Sequence, residues 1–433
     1  MGLAGQDRAM WGGRARTLPT HRGLLTLGRR DNAFRAPVTN DLYPAVHGRF
    51  NVVLCPVAPI RQRESGDDLE QIRIHPRKTG ASQPSATHAL PAVARRWILV
   101  PLALVLLLAG CSSPREQVVL HGATMGTTYN VQLVDPPQTV EPAALQDRVD
   151  DVLADINAAM STYDAGSELS RFNASSSTDW YAVSAELAGV VAAALDVSEA
   201  SGGAFDVTVG PLVNLWGFGP ADGSGMPPNP ELVSAVKLRT GYGKLDVRLS
   251  PPALRKSVPD LYVDLSAIAK GYGVDRVAAL LDAAGVENYL VEIGGELRAR
   301  GLNARGEPWR IAVERPDPAG RTVQRVVALT DAAMATSGDY RNFFEAGGTR
   351  YSHTIDPATG RPVTHDLASV TVLGTDAMHA DAHATALLVM GVDGGLQFAR
   401  TAGLAALFIS RTGTGFETRA TPAWRQAIGS ARD

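Results

Sequence analysis

Asp381 and Thr385 stand four residues apart in A-D-A-H-A-T-A-L-L-V-M, a run that reads as a helix from Ala380 to Met390, ended by Gly391. That spacing is about one helical turn, so a carboxylate and a hydroxyl share a face. Together they form half a site for Mg²⁺, which keeps waters and completes its shell with substrate phosphates. An aspartate near a helix start also favours the helix dipole with no ligand at all. His383 lies on another face, and with His379, His365 and His121 it has no evident partner; all four read as surface histidines. His353 differs. It ends a strand in Y-S-H-T-I-D-P, where an imidazole held near its neutral form can accept a hydroxyl proton, although a purely structural histidine fits there too.

A second group lies in V-D-L-S-A-I-A-K-G-Y-G-V-D, Val263 to Asp275, where Asp264 and Lys270 flank Ser266. Leu261, Val263 and Leu265 alternate as in a strand, and Val274, Val277, Ala278 and Leu281 follow at helical spacing up to Gly285. A strand-to-helix switch turns backbone amides and carbonyls to one edge, where phosphates and hard cations are held. An ordinary βα corner has the same pattern. Met125, at a glycine bend, suits either core packing or a flat ring. Phe205, Trp216 and Phe218 fall among Gly202, Gly203, Gly210, Gly217 and Gly219, which suits a flat apolar wall or a buried turn plugged by Trp216. G-x-x-x-x-G-K-[ST], H-E-x-x-H, G-x-S-x-G and paired cysteine ligands are all missing from the sequence, which removes P-loop, zincin and esterase readings.

The elements that must position these residues are legible in outline. Val118 to Leu133 reads as two strands around Met125-Gly126, and Pro142 to Met160 as an amphipathic helix. Ser167 caps a short turn to Phe172, and Ser184 to Ser201 forms an Ala/Val-rich helix stopped by Gly202-Gly203. Asp222 to Pro230 is a loop by composition. Strands are expected at Asn288 to Gly301 (broken at Gly294-Gly295), Trp309 to Glu314, Val326 to Leu329 and Ser369 to Leu373. A hairpin is expected at Gly347-Gly348 and a turn at Pro357 to Gly360.

At 433 residues and 45% hydrophobic, the chain can bury a large core. Residues 1–110 carry 15 Lys/Arg against 7 Asp/Glu, which leaves 26 against 37 in the rest, a net charge of −11 there. Such an acidic body argues against a nucleic-acid surface. Residues 1–94 are Arg-rich without periodicity and read as disordered or as a misassigned extension, with Val93 as an alternative initiator. Arg95-Arg96, the apolar run Trp97 to Leu108 and Leu108-Ala109-Gly110-Cys111 read as a lipoprotein signal peptide over 95–111, with Cys111 lipidated. A tether over 112–119 and a catalytic domain over 120–433 would follow. Cleavage removes Cys55, so the mature protein has no free thiol, as suits an extracytoplasmic, lipid-anchored protein on the periplasmic side of a diderm bacterium.

M-G-T-T-Y, S-T-Y-D-x-x-S-E-L-S-R-F-N, G-G-A-F-D-V-T-V-G-P-L-V-N-L-W-G-F-G, D-L-S-A-I-A-K-G-Y, I-G-G-E, A-T-S-G-D-Y-R, Y-S-H-T-I-D-P-x-T-G-x-P and D-A-H-A-T-A occur in this order from about Leu120 to Ser410. Together they resemble the ApbE family of FAD:protein FMN transferases. The resemblance implies an α+β fold of mixed, largely antiparallel sheets flanked by helices, two-lobed, with the nucleotide between the lobes. It implies Mg²⁺-dependent transfer of the FMN half of FAD to a threonine or serine hydroxyl, forming a phosphodiester and releasing AMP. The acceptors it implies are subunits of Nqr or Rnf complexes and other FMN-binding domains. By resemblance, the carbonyls of Ala267 and Ala384 and the side chains of Asp381 and Thr385 hold the metal. Met125, Tyr163, Ala204, Phe205, Asp206, Asp264, Lys270 and Ile355 match flavin-nucleotide contacts, and His353 matches the base that activates the acceptor. An FAD pyrophosphatase yielding FMN and AMP, or a non-catalytic flavin-binding lipoprotein, are the alternatives.

Overall fold

Alternating apolar residues build the largest sheet. Tyr129, Val131 and Leu133 point from one strand into a fully buried layer, and Tyr289, Val291 and Ile293 do the same from its neighbour. The computed structural model describes residues 115–219, 225–317, 320 and 322–429, and in it eight strands lie side by side in chain order. They are Gln117–Thr124, Thr127–Val134, Tyr289–Ile293, Glu296–Arg300, Ala332–Gly338, Leu367–Gly374, Ala405–Thr412 and Gly415–Ala420. Every pairing in this sheet is antiparallel. Smaller antiparallel pairs, such as Trp309–Glu314 with Val323–Leu329, stand outside it. The expected α+β fold with largely antiparallel sheets is what the chain forms.

Helices cover the sheet through stripes set by sequence spacing. Pro142–Met160 buries Leu145, Val149, Leu153, Ile156 and Met160, and Glu141 caps it by accepting from the Ala144 amide. Ala185–Ala200 begins at the Ser184 cap, as read from the sequence. Gly294 (φ 62°) and Gly295 (φ 110°) carry the two-residue turn of the Tyr289–Arg300 hairpin, backbone angles that side chains resist.

Three expectations need correction. Residues 261–265 alternate in burial as a strand would, with Leu261, Val263 and Leu265 fully buried, yet they join no sheet. The Asn173 side chain takes the place of a neighbouring strand, accepting from the Val263 amide and donating to its carbonyl, both at 2.8 Å. The expected Ala380–Met390 helix is longer, Ala377–Thr401, because Asp376 caps it upstream and a second helical run resumes after the break at Gly391 (φ 74°). His365, His379 and His383 are half-buried rather than on the surface; only His121 of that group is exposed. Residues 1–94, the leader 95–111 with Cys111, and residues 112–114 of the tether lie outside the described residues.

Candidate active site

The site starts where two helices meet without room for a side chain. A Cβ on Gly271, in the helix Ala269–Ala283, would lie 2.2 Å from the Ala377 carbonyl oxygen at the head of the helix Ala377–Thr401. One turn further on, the Asp275 carboxylate accepts from the Ala377 and Met378 amides (2.9 Å each for Oδ2) and from Arg298 (2.9 Å). The first helix therefore caps the second across the interface, complementing its dipole. This junction sets Lys270 facing Asp381.

Lys270 Nζ lies 3.1 Å from Glu296 Oε2 and 3.6 Å from Asp381 Oδ2, and the Gly271 amide donates to the same Asp381 oxygen at 3.2 Å. Both acidic side chains are almost wholly buried. Burial disfavours the Lys270 ammonium, but the charges of Asp381 and Glu296 outweigh it and raise its pKa. Burial pushes both carboxyls up, and the charge of Lys270 pulls both back down. Glu292, at the other end of the same hairpin turn, is pushed to about 7 by burial, while the Gly295 amide partly offsets this. Thr385, one turn beyond Asp381, shares a 3.0 Å hydrogen bond with Ser337.

One ammonium against two buried carboxylates is a surplus of negative charge, and a hydroxyl stands one turn away. The set fits a hard divalent cation. Among the described residues, no group of three or more His, Cys, Asp or Glu is placed to hold a metal. A cation here would draw on backbone carbonyls as well. Of the two residues whose carbonyls the resemblance names, Ala267 lies in the turn before the lysine helix and Ala384 lies within the helix Ala377–Thr401, beside Thr385.

The other predicted contacts come from several elements. Met125 (φ 50°) sits at the bend of the first strand pair, its Cε reaching over Gly273 of the lysine helix. Tyr163, 71% exposed, offers an open ring face from the turn after Pro142–Met160. Asp264 holds the Ser266 amide and hydroxyl (2.9 and 2.5 Å), and its own amide donates to the Val207 carbonyl (2.7 Å). That bond ties the 204–208 loop to the 261–268 stretch. Within the loop Ala204 is half-buried, Phe205 is packed into the core, and Asp206 is committed to Thr208 and the Tyr242 amide. The Gly/aromatic stretch divides: after the short helix Gly210–Leu215, Trp216 is buried, donates to the Gly360 carbonyl at 2.9 Å and packs with Leu212, Val233 and Ile355, whereas Phe218 is half-buried and stacks on Phe344.

His353 follows the strand Thr349–Ser352, its ring edge-on to Phe218. Nδ1 lies 3.1 Å from the Asn342 carbonyl. A carbonyl only accepts, so Nδ1 carries the proton and Nε2 keeps a lone pair. Burial lowers the imidazole pKa and the Lys270 charge lowers it further, against the Asn342 carbonyl and Asp339. The residue is thus held neutral within electrostatic range of the Lys270 cluster.

Glu296, Asp275, Gly271, Asn173 and Ser337 were missed as site residues. Glu296 stood in plain view in I-G-G-E beside a turn, but its partner sits on a helix remote in sequence.

The ApbE family model matches residues 125–408. An FAD:protein FMN transferase of Vibrio cholerae serotype O1 is 49% identical over 331 residues, 76% of this chain and 98% of the relative. A second FAD:protein FMN transferase, from Haemophilus influenzae, is 44% identical over 76% of this chain and 96% of its own length. The solved flavin transferase ApbE of Vibrio cholerae superposes with a TM-score of 0.68 at 47% identity, covering 72% of this chain and 99% of that one. With the family model matching residues 125–408 and relatives 44–49% identical over nearly their whole length, the chain belongs to the ApbE family.

Proposed function

We propose that this protein is an FAD:protein FMN transferase. It moves the FMN half of FAD, in a Mg²⁺-dependent reaction, to a threonine or serine hydroxyl of an acceptor protein, forming a phosphodiester and releasing AMP. The observation that carries this reading is the buried Lys270–Asp381–Glu296 cluster, with a neutral histidine in its electrostatic range. Asp381 and Thr385, with the carbonyls of Ala267 and Ala384, would hold Mg²⁺. Bound there, the ion would neutralise the diphosphate as the phosphorus–oxygen bond to AMP breaks. Lys270 adds positive charge on the same side. His353 Nε2 takes the acceptor hydroxyl proton, so the oxygen attacks phosphorus as an alkoxide and AMP leaves with the bridging oxygen.

Met125, Tyr163, Ala204, Phe205, Asp206, Asp264 and Ile355 make up the remaining flavin-nucleotide site. Tyr163 supplies the exposed aromatic face for a flat ring. Phe205 and Asp206 act by holding the loop that presents Ala204. The acceptor is an FMN-binding protein of the membrane electron-transport kind, such as an Nqr or Rnf subunit, met outside the cytoplasm by an enzyme anchored through Cys111. Asp381→Ala abolishes transfer on this reading, and added Mg²⁺ does not restore it. Full activity in that variant, read as AMP released against Mg²⁺ concentration, would sink the cation assignment.

A further inference from the structure

Lys270 and the proposed cation make claims on the same oxygen. The ammonium stands 3.6 Å from Asp381 Oδ2, and a divalent cation bound to that carboxylate would face it at short range inside a buried site. The repulsion is relieved if the lysine has a second counter-ion, and its four-carbon stem allows it to turn to one. Glu296 Oε2 lies nearer to Nζ than Asp381 does, at 3.1 Å. This oxygen is closed off from solvent and has the Lys270 ammonium beside it. Glu296 opens the strand Glu296–Arg300 directly after the Gly294-Gly295 turn, which holds its backbone in place while the lysine moves.

We infer that Glu296 is a positioning residue that draws the Lys270 ammonium off Asp381 as the divalent cation binds. This inference rests on the cation assignment to Asp381 proposed above. Glu296 contributes to cation affinity through Lys270 rather than as a ligand. Removing its charge leaves Lys270 on Asp381 as a competitor, and removing Lys270 makes Glu296 irrelevant to binding.

The test is a double-mutant cycle read by Mn²⁺ electron paramagnetic resonance on the full chain without FAD, so turnover does not enter. Glu296→Gln weakens Mn²⁺ binding by about tenfold, within the range for coupled neighbours. Lys270→Met tightens it. Added to Lys270→Met, Glu296→Gln then changes affinity by less than about twofold. Equal weakening by Glu296→Gln in both backgrounds would overturn the inference, because Glu296 would then act on the cation directly. Unchanged or weaker affinity in Lys270→Met alone would overturn it as well, and this holds even if Glu296→Gln fails to fold. The cation assignment fails separately, if Asp381→Ala binds Mn²⁺ as the wild type does.

Discussion

His353 is where the chemistry of a single residue bears most directly on catalysis. Its Nδ1 proton is committed to the Asn342 carbonyl, which leaves Nε2 to accept. Burial and then the Lys270 charge depress its pKa from 6.5, so the neutral base persists below that pH. The limb that His353 contributes to the transfer rate therefore lies below pH 6.5, and disappearance of a limb above pH 6.5 in His353→Ala would contradict the assignment. His353→Ala slows transfer by about 10²–10⁴-fold while FAD still binds, checked by single-turnover kinetics beside flavin fluorescence titration. A matching loss of FAD affinity would make His353 a binding contact instead. At this scale the sequence was informative for residues within one element: Asp381 with Thr385 follows from helical spacing. Glu296 was not legible as a partner of Lys270, because no spacing rule links a hairpin strand to a helix that precedes it.

The elements place these residues through contacts that leave little slack. Gly271→Ala would put a methyl group into the Ala377 carbonyl and force the two helices apart. We predict a loss of about 1–3 kcal/mol in stability, and reduced Mn²⁺ affinity because the helix carrying Asp381 and Thr385 shifts from the turn that carries Ala267. Denaturant unfolding with metal titration checks both, and a neutral effect would mean that the junction does not set the site. Asn173→Ala removes two hydrogen bonds to the Val263 backbone, at a cost of about 1–3 kcal/mol, and loosens the stretch leading to Asp264 and Ala267. That stretch also shows where local pattern falls short. The alternation of Leu261, Val263 and Leu265 correctly gave the buried face, but whether an extended segment pairs with a strand or with a side-chain amide depends on a residue ninety positions away. The capped helices were readable because Ser184 and Ser167 sit next to what they cap; the Asp275 cap on Ala377 crosses between elements and was not.

For the molecule as a whole, individual strands were legible from two-residue alternation and glycine turns, whereas their largely antiparallel arrangement came from the family resemblance; the strands of the large sheet follow one another in chain order. The compartment is read from charge and processing signals. We propose that the acidic body, with a net charge of −11 over residues 111–433, is tethered to a membrane by a lipid on Cys111. Cys111→Ala would move the protein from the membrane to the soluble fraction, and retention in the membrane fraction would argue for a different anchor. The central claim remains transfer rather than hydrolysis. The direct measurement is intact-mass spectrometry of an FMN-binding acceptor domain after incubation with this protein, FAD and Mg²⁺, with AMP quantified in parallel. The account predicts an acceptor heavier by one FMN moiety on a threonine or serine, with one AMP released for each. Free FMN and AMP beside an unmodified acceptor would contradict it and identify a pyrophosphatase.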